Sequence, residues 1–162
     1  QHNYLTINKG TRDGIAEDMG VVCYSGVVGI VSAVSEKYAL VVPTIHTEMN
    51  LSCRLKKNDY VGRTQWMGKN YQQVALKDIS RHISVERGDT VITSGLTPIF
   101  PEGIMVGIVE ETSLNISDNY HQTTLQLSTD YRSIKYVQVI KNRASQLINN
   151  DNSPTQWSGL KK

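Results

Sequence analysis

The sequence predicts an all-β protein with very little helix, arranged as two small six-stranded β-barrel-like domains. Apolar residues alternate with polar or small residues in many short segments, as they do in half-buried strands. Turn-forming Gly, Asn and Asp residues separate these segments, which gives about ten or eleven short strands. The clearest alternating segments are Leu5–Ile7, Val74–Leu76, Leu125–Leu127 and Val137–Val139.

A sequence repeat points to two related β units. Val27–Ser35 reads VVGIVSAVS and Met105–Ser113 reads MVGIVEETS, so that Gly107 corresponds to Gly29, 78 positions earlier. A spacing of one small domain is what a duplicated module would produce. Short β-rich sequences also match by chance, so duplication and chance similarity both remain open at this stage.

The repeat and the turn sequences suggest how the chain is divided. We expect a first barrel domain over residues 1–80 and a second over 81–142, joined through Leu76–Val85. A strand near 134–141 could return to complete the first domain. Domains of this size lie near the lower limit for an independent core, so the two barrels are expected to share an interface.

The end of the chain looks different from the rest. Residues 143–162 contain a polar stretch rich in Asn, Ser, Pro and Gly, and this composition predicts a flexible C-terminal tail. Trp157 is unusual in such a tail. It is either a stray aromatic residue or part of a short docking motif.

Composition and charge exclude several classes of function. The net charge of +2 is too small, and its Lys and Arg residues too dispersed, for a nucleic-acid-binding protein. A hydrophobic content of 39% with a mean hydropathy of −0.33 leaves no room for a membrane-spanning helix in this sequence. Because the chain begins at Gln1, we expect a signal peptide, a membrane anchor or an upstream domain to precede it.

Two cysteines, Cys23 and Cys53, lie in β-like segments of the first half. They could form a disulfide between neighbouring strands in an oxidising compartment, or remain two buried thiols, which is the more common situation. Zinc binding is not expected, because the two cysteines are far apart and no CxxC or HxxxH spacing occurs.

No arrangement of residues predicts catalysis. A serine-protease triad would need an activated nucleophile beside an oxyanion hole, whereas Ser94 follows a strand and His46 precedes a turn. Glu110 and Glu111 are adjacent in a strand, so their side chains point to opposite faces. We therefore expect no enzyme activity, no catalytic residues, no metal site and no cofactor.

The segment Thr93–Ile104 contains two prolines, two glycines and the only phenylalanine of the chain. Pro98 and Pro101 fix their own φ angles, while Gly95 and Gly103 allow turns that other residues avoid. This segment could close one end of a barrel. It could also present a rigid apolar surface to a partner.

The same region resembles a known family. Gly88–Glu111 reads GDTVITSGLTPIFPEGIMVGIVEE, which is similar to the GDxVvTSG…FPxGixVGxV pattern of the rod shape-determining MreC family. Tyr4–Ile45 agrees as well, with N-K-G, D-G-I and G-V-V-G-x-V in the family's order. The resemblance extends over roughly residues 4–140. The motif positions expected to serve the fold are Gly29, Gly88, Asp89, Thr93, Ser94, Gly95, Gly103 and Gly107.

The resemblance implies a non-enzymatic scaffold of the bacterial cell-wall elongation complex. Members of the family have a single transmembrane helix and a coiled coil, followed by two β-barrel-like domains on the extracytoplasmic, periplasmic side. They self-associate and contact MreD, RodA, the actin-like MreB system and the elongation-specific penicillin-binding transpeptidase. We therefore expect a membrane-anchored cell-envelope protein whose anchor precedes this sequence.

Two surfaces are candidates for partner contacts. Ile99, Phe100, Pro101 and Ile104 match the apolar part of the family motif, so they are the residues we expect to bind the transpeptidase. The strand containing Pro43 is the other candidate, because proline lacks an N–H donor and so marks a bend or an exposed sheet edge. An exposed edge could add a strand from a partner.

Two alternative functions remain open from the residues alone. A peptidoglycan- or carbohydrate-binding β module would need a groove lined by aromatic side chains, for which Tyr24, Tyr60, Trp66 and Tyr71 are available. The other alternative is a degenerate protease-like double barrel. A glycan pull-down would identify the first alternative and a serine-directed probe the second.

Overall fold

The structure, a computed structural model, describes residues 3–141 and 155–161, the latter only as a backbone strand. This part of the chain forms twelve β-strands and one short 3₁₀ turn at Thr11–Asp13. None of its helical segments has the length and apolar character needed to cross a membrane. The strands are β1 (Leu5–Ile7), β2 (Gly20–Cys23), β3 (Gly26–Val34), β4 (Ala39–Pro43), β5 (Ser52–Leu55), β6 (Val61–Gln65), β7 (Gln73–Lys77), β8 (Thr90–Thr93), β9 (Met105–Ser113), β10 (Gln122–Leu127), β11 (Tyr136–Ile140) and β12 (Thr155–Lys161).

The strands form two closed, antiparallel, six-stranded barrels. The order in the first barrel is β1-β12-β11-β2-β3-β4, and the order in the second is β10-β7-β6-β5-β8-β9. Residues alternate between the interior and the surface along most strands. In β7, for example, Val74 and Leu76 are buried, and the residues on either side of each are partly exposed. The predicted all-β class with two six-stranded barrels is therefore confirmed.

The division at residue 80 was wrong. Strands β5, β6 and β7, which lie before residue 80, pair within the second barrel. The second barrel thus extends from Ser52 to Leu127, and the first uses β1–β4 together with β11 and β12. Alternation in a sequence shows that a segment is a strand, but it does not show which strand it pairs with.

Two further expectations about the first barrel need correction. Thr155–Lys161 is not a tail, because it forms β12 and pairs with β1 and β11. Backbone pairing requires no apolar side chains, which is why the polar composition was misleading. The rest of the predicted tail, 143–154 and Lys162, lies outside the described residues. Pro43 ends β4, which pairs with both β1 and β3, so it marks no exposed sheet edge.

The two barrels have the same strand arrangement but start at different points. Strands β2, β3 and β4 of the first barrel correspond to β8, β9 and β10 of the second. The remaining strands β11, β12 and β1 then correspond to β5, β6 and β7. The first barrel is therefore a circular permutation of the second. All strands of the second barrel lie in the chain between β4 and β11 of the first.

Irregularities in the strands follow the repeat. In β3, Val28 and Ser32 are skipped in the pairing with the neighbouring strands. In β9 the skipped residues are Val106 and Glu110, each 78 positions later. Bulges of this kind bend a strand at a defined position. Their equivalence supports the duplication that the repeat suggested.

The core is continuous across both barrels, and strands β3 and β9 lie side by side at the contact between them. A β-carbon at Gly26 would lie 2.3 Å from the carbonyl oxygen of Met105, so the two barrels approach there at backbone distance. We call this contact region, which also includes Gly20 and Phe100, the barrel joint. Cys23 and Cys53 are both buried and free, so the alternative of two buried thiols is correct.

The segment between β10 and β11 also fastens the barrel joint. The Tyr131 hydroxyl donates a hydrogen bond to the Val28 carbonyl at 2.5 Å and accepts one from the Thr44 N–H at 3.2 Å. It is also 2.6 Å from the Thr44 hydroxyl. Thr129 donates from its hydroxyl to the carbonyl of Val27 at 2.9 Å. These bonds fix the return path of the chain to the first barrel.

Candidate partner-binding site

The motif loop, Ser94–Ile104, connects β8 to β9 and is closed at its base by Thr93. The Thr93 hydroxyl donates to the Pro101 carbonyl at 2.6 Å and accepts a hydrogen bond from the N–H of Ile104 at 2.8 Å. The backbone N–H of Gly103 donates to the carbonyl of Thr93 at 3.1 Å. One side chain thus holds both ends of the loop, which gives Thr93 a positioning role.

The neighbouring motif residues complete this framework. Ser94 and Ser52 share a hydrogen bond between their hydroxyls at 2.8 Å, which ties the loop to β5. The Ser94 hydroxyl also accepts from the N–H of Leu96 at 3.2 Å. Gly95 has a φ of +74°, and a β-carbon there would lie 2.8 Å from that of Glu102, so the turn requires glycine.

Gly88 and Asp89 form the turn that leads into β8. Gly88 has a φ of +94°, which a side chain disfavours. The Asp89 carboxylate accepts a hydrogen bond from the N–H of Glu86 at 2.7 Å and lies 2.7 Å from the ammonium of Lys57. These residues therefore close a turn, and they support the motif loop only through the start of β8.

The four predicted contact residues differ in how far the structure exposes them to solvent. Phe100 is only 2% exposed and packs against Gly20 of the first barrel, so it cannot reach a partner. Ile99 and Ile104 are half-buried against the core, and Pro101 is exposed. The expectation that Phe100 is a contact residue was wrong, because the space beside Gly20 is where this large side chain loses its contact with water.

The exposed apolar part of the loop lies elsewhere. Leu96 is 70% exposed, and Thr97, Pro98 and Pro101 are also exposed. We call these four residues the loop crest. Sequence reasoning missed Leu96 because the family pattern leaves that position unspecified. The available signal was an apolar residue next to a glycine and a proline, a context that favours a projecting turn.

A second apolar surface lies at the barrel joint. A cavity of about 290 Å³ has Cys23, Ser128 and Ile134 among its lining residues. Tyr24, which is fully exposed, and Tyr136 also line it. We call this cavity the joint pocket. Exposed tyrosines beside a small pocket are common at protein interfaces, since they bury a large area with few rotatable bonds.

The aromatic residues proposed for a carbohydrate groove do not form one. Trp66 is buried, donates its indole N–H to the carbonyl of Asn70 at 2.8 Å and stacks on Tyr71 at 5.7 Å. Tyr60 lies in the second barrel with these two residues, whereas Tyr24 follows a strand of the first barrel. Trp66 therefore serves the core.

The residues considered for catalysis have structural contacts. His46 is buried, accepts a hydrogen bond from the N–H of Glu48 through Nδ1 at 3.1 Å, and packs edge-on against Tyr4. Ser94 is held by Ser52, as described above. In the part of the chain that the structure describes, no group of three or more His, Cys, Asp or Glu side chains could hold a metal ion.

The pKa values of Cys53, Tyr131 and Asp130 lie away from their usual range, each for a local reason. Burial raises the pKa of the Cys53 thiol to about 12 and raises the pKa of Tyr131 as well. Hydrogen bonds from Arg132 lower the pKa of Asp130, which is exposed. Cys53 and Tyr131 are core groups, so these shifts concern stability and not acid–base chemistry.

The fold and its exposed surfaces define a double-barrel protein that presents rigid apolar features on a closed β framework. The chain belongs to the MreC family: the family model for "Rod shape-determining protein MreC, barrel core" matches residues 1–141. Cell shape-determining protein MreC of Listeria monocytogenes is 25% identical over 146 residues, covering 88% of this chain and 50% of that protein. The chain thus spans about half the length of this relative.

Solved structures show the same fold. The crystal structure of MreC from Pseudomonas aeruginosa has a TM-score of 0.81 at 22% identity, covering 86% of this chain and 90% of that one. MreC in a complex with penicillin-binding protein PBP2 from Helicobacter pylori has a TM-score of 0.58 at 21% identity, covering 80% and 91% respectively. The family resemblance seen in the sequence is confirmed.

Proposed function

We propose that this protein is a non-enzymatic scaffold of the bacterial cell-wall elongation complex and binds the elongation-specific transpeptidase through the loop crest. Membership of a cell shape-determining family supports the general role. The complex of the Helicobacter pylori relative with PBP2 supports the kind of partner. The observation that carries the choice of surface is the 70% exposed Leu96 on a loop whose backbone is fixed.

The loop crest has the properties of a binding anchor. Burying a leucine side chain contributes about 1.5–3 kcal/mol. Thr93 and Ser94 already hold the loop backbone, and Pro98 and Pro101 restrict φ, so little conformational entropy is lost on binding. Ile99 and Ile104 form the half-buried base beneath the crest and would contact the partner at its margin.

Binding would act on the partner's conformation. A scaffold can shift a transpeptidase toward an active state only if it binds that state more tightly than the inactive one. A rigid crest suits this role, because it fits one arrangement of the partner surface and does not adapt to another. The protein would thereby couple its own position in the envelope to wall synthesis.

The remaining parts of the proposal follow the family. We infer an extracytoplasmic location, with a membrane anchor in a part of the protein that precedes this sequence. Self-association and contacts with MreD, RodA and the MreB system belong to the same proposal. The joint pocket, with Tyr24 at its rim, is a second surface on this chain that could serve one of these contacts.

The test is an affinity measurement between this chain and the extracytoplasmic part of the elongation transpeptidase from the same organism. We expect Leu96→Asp to weaken binding by about tenfold or more, since it places a charge in an apolar contact. Ile116→Asp is the matched control, because Ile116 is 96% exposed on a different loop of the same barrel. Both variants should keep the unfolding temperature of the parent chain.

The other outcomes are equally informative. Weakened binding in Tyr24→Ala with unchanged binding in Leu96→Asp would move the contact to the joint pocket. Equal weakening by Leu96→Asp and Ile116→Asp would indicate a nonspecific charge effect and would contradict the assignment of the crest. Absence of binding by the parent chain would contradict the proposal that these barrels bind the transpeptidase.

A further inference from the structure

An open groove lies on the outer face of the second barrel, away from the motif loop. Its floor is formed by strands β7, β10 and β9, and residues 117–121 of the connection between β9 and β10 line one side. The groove has a volume of about 790 Å³. Its size falls within the range of ligand sites, which is roughly 300–1,000 Å³. No part of the loop crest or of the joint pocket lines it.

The floor consists of two rows of outward-facing side chains, most of which are polar. Ala75, Thr124 and Glu111 lie opposite one another across the three strands. One step along the strands, Leu76 and Thr123 are buried in the barrel, so the residues on either side face outward. Lys77, Gln122 and Ser113 therefore form a second outward row, about 7 Å from the first.

Several of these groups have no partner in the described part of the protein. Neither the Lys77 ammonium nor the Glu111 carboxylate has a hydrogen bond or an ion pair with the described residues. Their sequence neighbours, in contrast, are occupied: Asp78 pairs with Arg63 at 2.8 Å, and Glu110 accepts a hydrogen bond from Gln73 at 2.6 Å. The groove thus offers both a donor and an acceptor that the fold does not use.

One wall of the groove is an aromatic ring on a fixed backbone. Tyr120 is 55% exposed, and its hydroxyl has no hydrogen bond to the described residues. Its backbone forms a β-bridge with Ser80, and the N–H groups of Arg81 and His121 donate to Asn119 and Ile79 at 2.9 Å each. The ring is therefore presented by a rigid segment, without support from a buried contact.

We propose that this groove binds a saccharide strand through hydrogen bonds to the hydroxyl and amide groups of its sugars. A sugar ring has an apolar face that stacks on an aromatic ring, and a rim of hydroxyls that bond to amides, hydroxyls, ammonium and carboxylate groups. Tyr120 supplies the ring, while Lys77, Gln122, Thr124 and Glu111 supply the polar contacts. Oligosaccharide binding on the strand face of a small barrel has a precedent in the OB-fold, which is a five-stranded, partly open barrel.

Other ligand classes fit the groove less well. An added peptide strand needs an unpaired sheet edge, and the closed barrel has none. The floor also lacks the apolar pocket that would hold an anchor side chain of a partner protein. Asp78, Glu111 and Asp118 line the groove together with a single ammonium, that of Lys77, so the charge of the groove disfavours a polyanion such as nucleic acid.

The test uses the full chain labelled with ¹⁵N and a β-linked N-acetylglucosamine hexamer as the probe. We expect saturable shifts in the amide signals of β7, β10 and the Leu114–His121 segment. Tyr120→Ala should weaken binding by about fivefold to tenfold, as loss of an aromatic contact does. Tyr120→Phe should retain most of the affinity, because it keeps the ring.

Controls separate this site from a general effect on the barrel. Tyr60→Ala removes another half-exposed tyrosine of the same barrel that does not line the groove, and its binding should be unchanged. Glu111→Ala should weaken binding while leaving the unfolding temperature unaltered. Failure to bind the hexamer, binding that is insensitive to Tyr120→Ala, or shifts in the groove only with a wall-type pentapeptide would each overturn the proposal.

Discussion

Phe100 of the second barrel lies directly against the α-carbon of Gly20 in the first. A β-carbon at position 20 would be 2.6 Å from Cε1 of Phe100, so no larger residue fits there without displacement of the ring. The phenylalanine of the family motif therefore holds the two barrels together. The same loop presents Leu96 to solvent, so one connection serves both the barrel joint and the loop crest.

The first prediction concerns this contact. Phe100→Ala should reduce the free energy of unfolding by about 3–5 kcal/mol, the usual cost of removing a buried phenylalanine. Leu96→Ala, in the same loop but exposed, should change it by less than about 0.5 kcal/mol. Urea unfolding followed by circular dichroism measures both changes. Equal effects of the two variants would show that Phe100 is not the buried residue of the loop.

A double variant examines the contact itself. Gly20→Ala should destabilise the protein because its new methyl group meets the Phe100 ring. Phe100→Leu vacates part of that space. In the double variant the loss of unfolding free energy should therefore be smaller than the sum of the losses in the two single variants. Additive losses would indicate that residues 20 and 100 do not interact.

The second prediction concerns Tyr131. Tyr131→Phe removes the hydroxyl that bonds to Val28 and Thr44, and it leaves the buried Thr44 hydroxyl without its partner, at a cost of about 1–3 kcal/mol. The Thr44 N–H keeps its other hydrogen bond, to the Val28 carbonyl at 3.2 Å, so the backbone pairing should persist. Urea unfolding measures the change in the free energy of unfolding. Tyr24→Phe, at a fully exposed position, is the control and should leave this free energy unaltered. Equal effects of the two variants would contradict the role of the Tyr131 hydroxyl.

The elements predicted from the sequence are those that local chemistry determines. Alternation identified β1, β7, β10 and β11, because apolar side chains must face a barrel interior. The repeat identified β3 and β9 as equivalent, and the structure places their bulges at equivalent positions. The glycine and proline pattern also indicated that the motif loop connects two strands and has a fixed shape.

The elements that were missed depend on distant partners. Strand β12 has a polar sequence and forms through backbone bonds to β1 and β11, which are far from it in the chain. The boundary near residue 80 failed for the same reason, since β5 pairs with β8 and β7 with β10. Exposure of Leu96 and burial of Phe100 follow from the packing of one barrel on the other, which no local pattern contains.

The third prediction compares the two glycines of the repeat. A β-carbon at Gly29 would lie 2.1 Å from the Val42 carbonyl oxygen, and one at Gly107 would lie 2.5 Å from that of Gln126. Each substitution to alanine should destabilise the protein by about 1–3 kcal/mol or more, since backbone must move. Gly29→Ala should be the more damaging, because its contact is closer.

The comparison needs a control on the same strand. Ser32→Ala changes an exposed residue of β3 and should alter the unfolding free energy by less than about 0.5 kcal/mol. Urea unfolding of the three variants gives the ranking. A larger loss for Gly107→Ala than for Gly29→Ala would contradict the ranking that the two distances predict.

The last prediction concerns stability at alkaline pH. Burial raises the pKa of Cys53 from 9.0 to about 12, so the folded state keeps this proton in a range where the unfolded state releases it. The unfolded state then binds fewer protons, and the free energy of unfolding should fall as the pH rises above about 9. For one proton the slope approaches about 1.4 kcal/mol per pH unit.

Urea unfolding between pH 8 and pH 10, with a reducing agent present, measures this dependence. Cys53→Ala should be less stable than the parent chain at pH 8, because a buried side chain is truncated, but its stability should decline less over this interval. Tyr131, whose pKa is also raised by burial, adds its own loss only above about pH 10. An equal decline in the parent chain and in Cys53→Ala would show that the buried thiol does not control stability in this range.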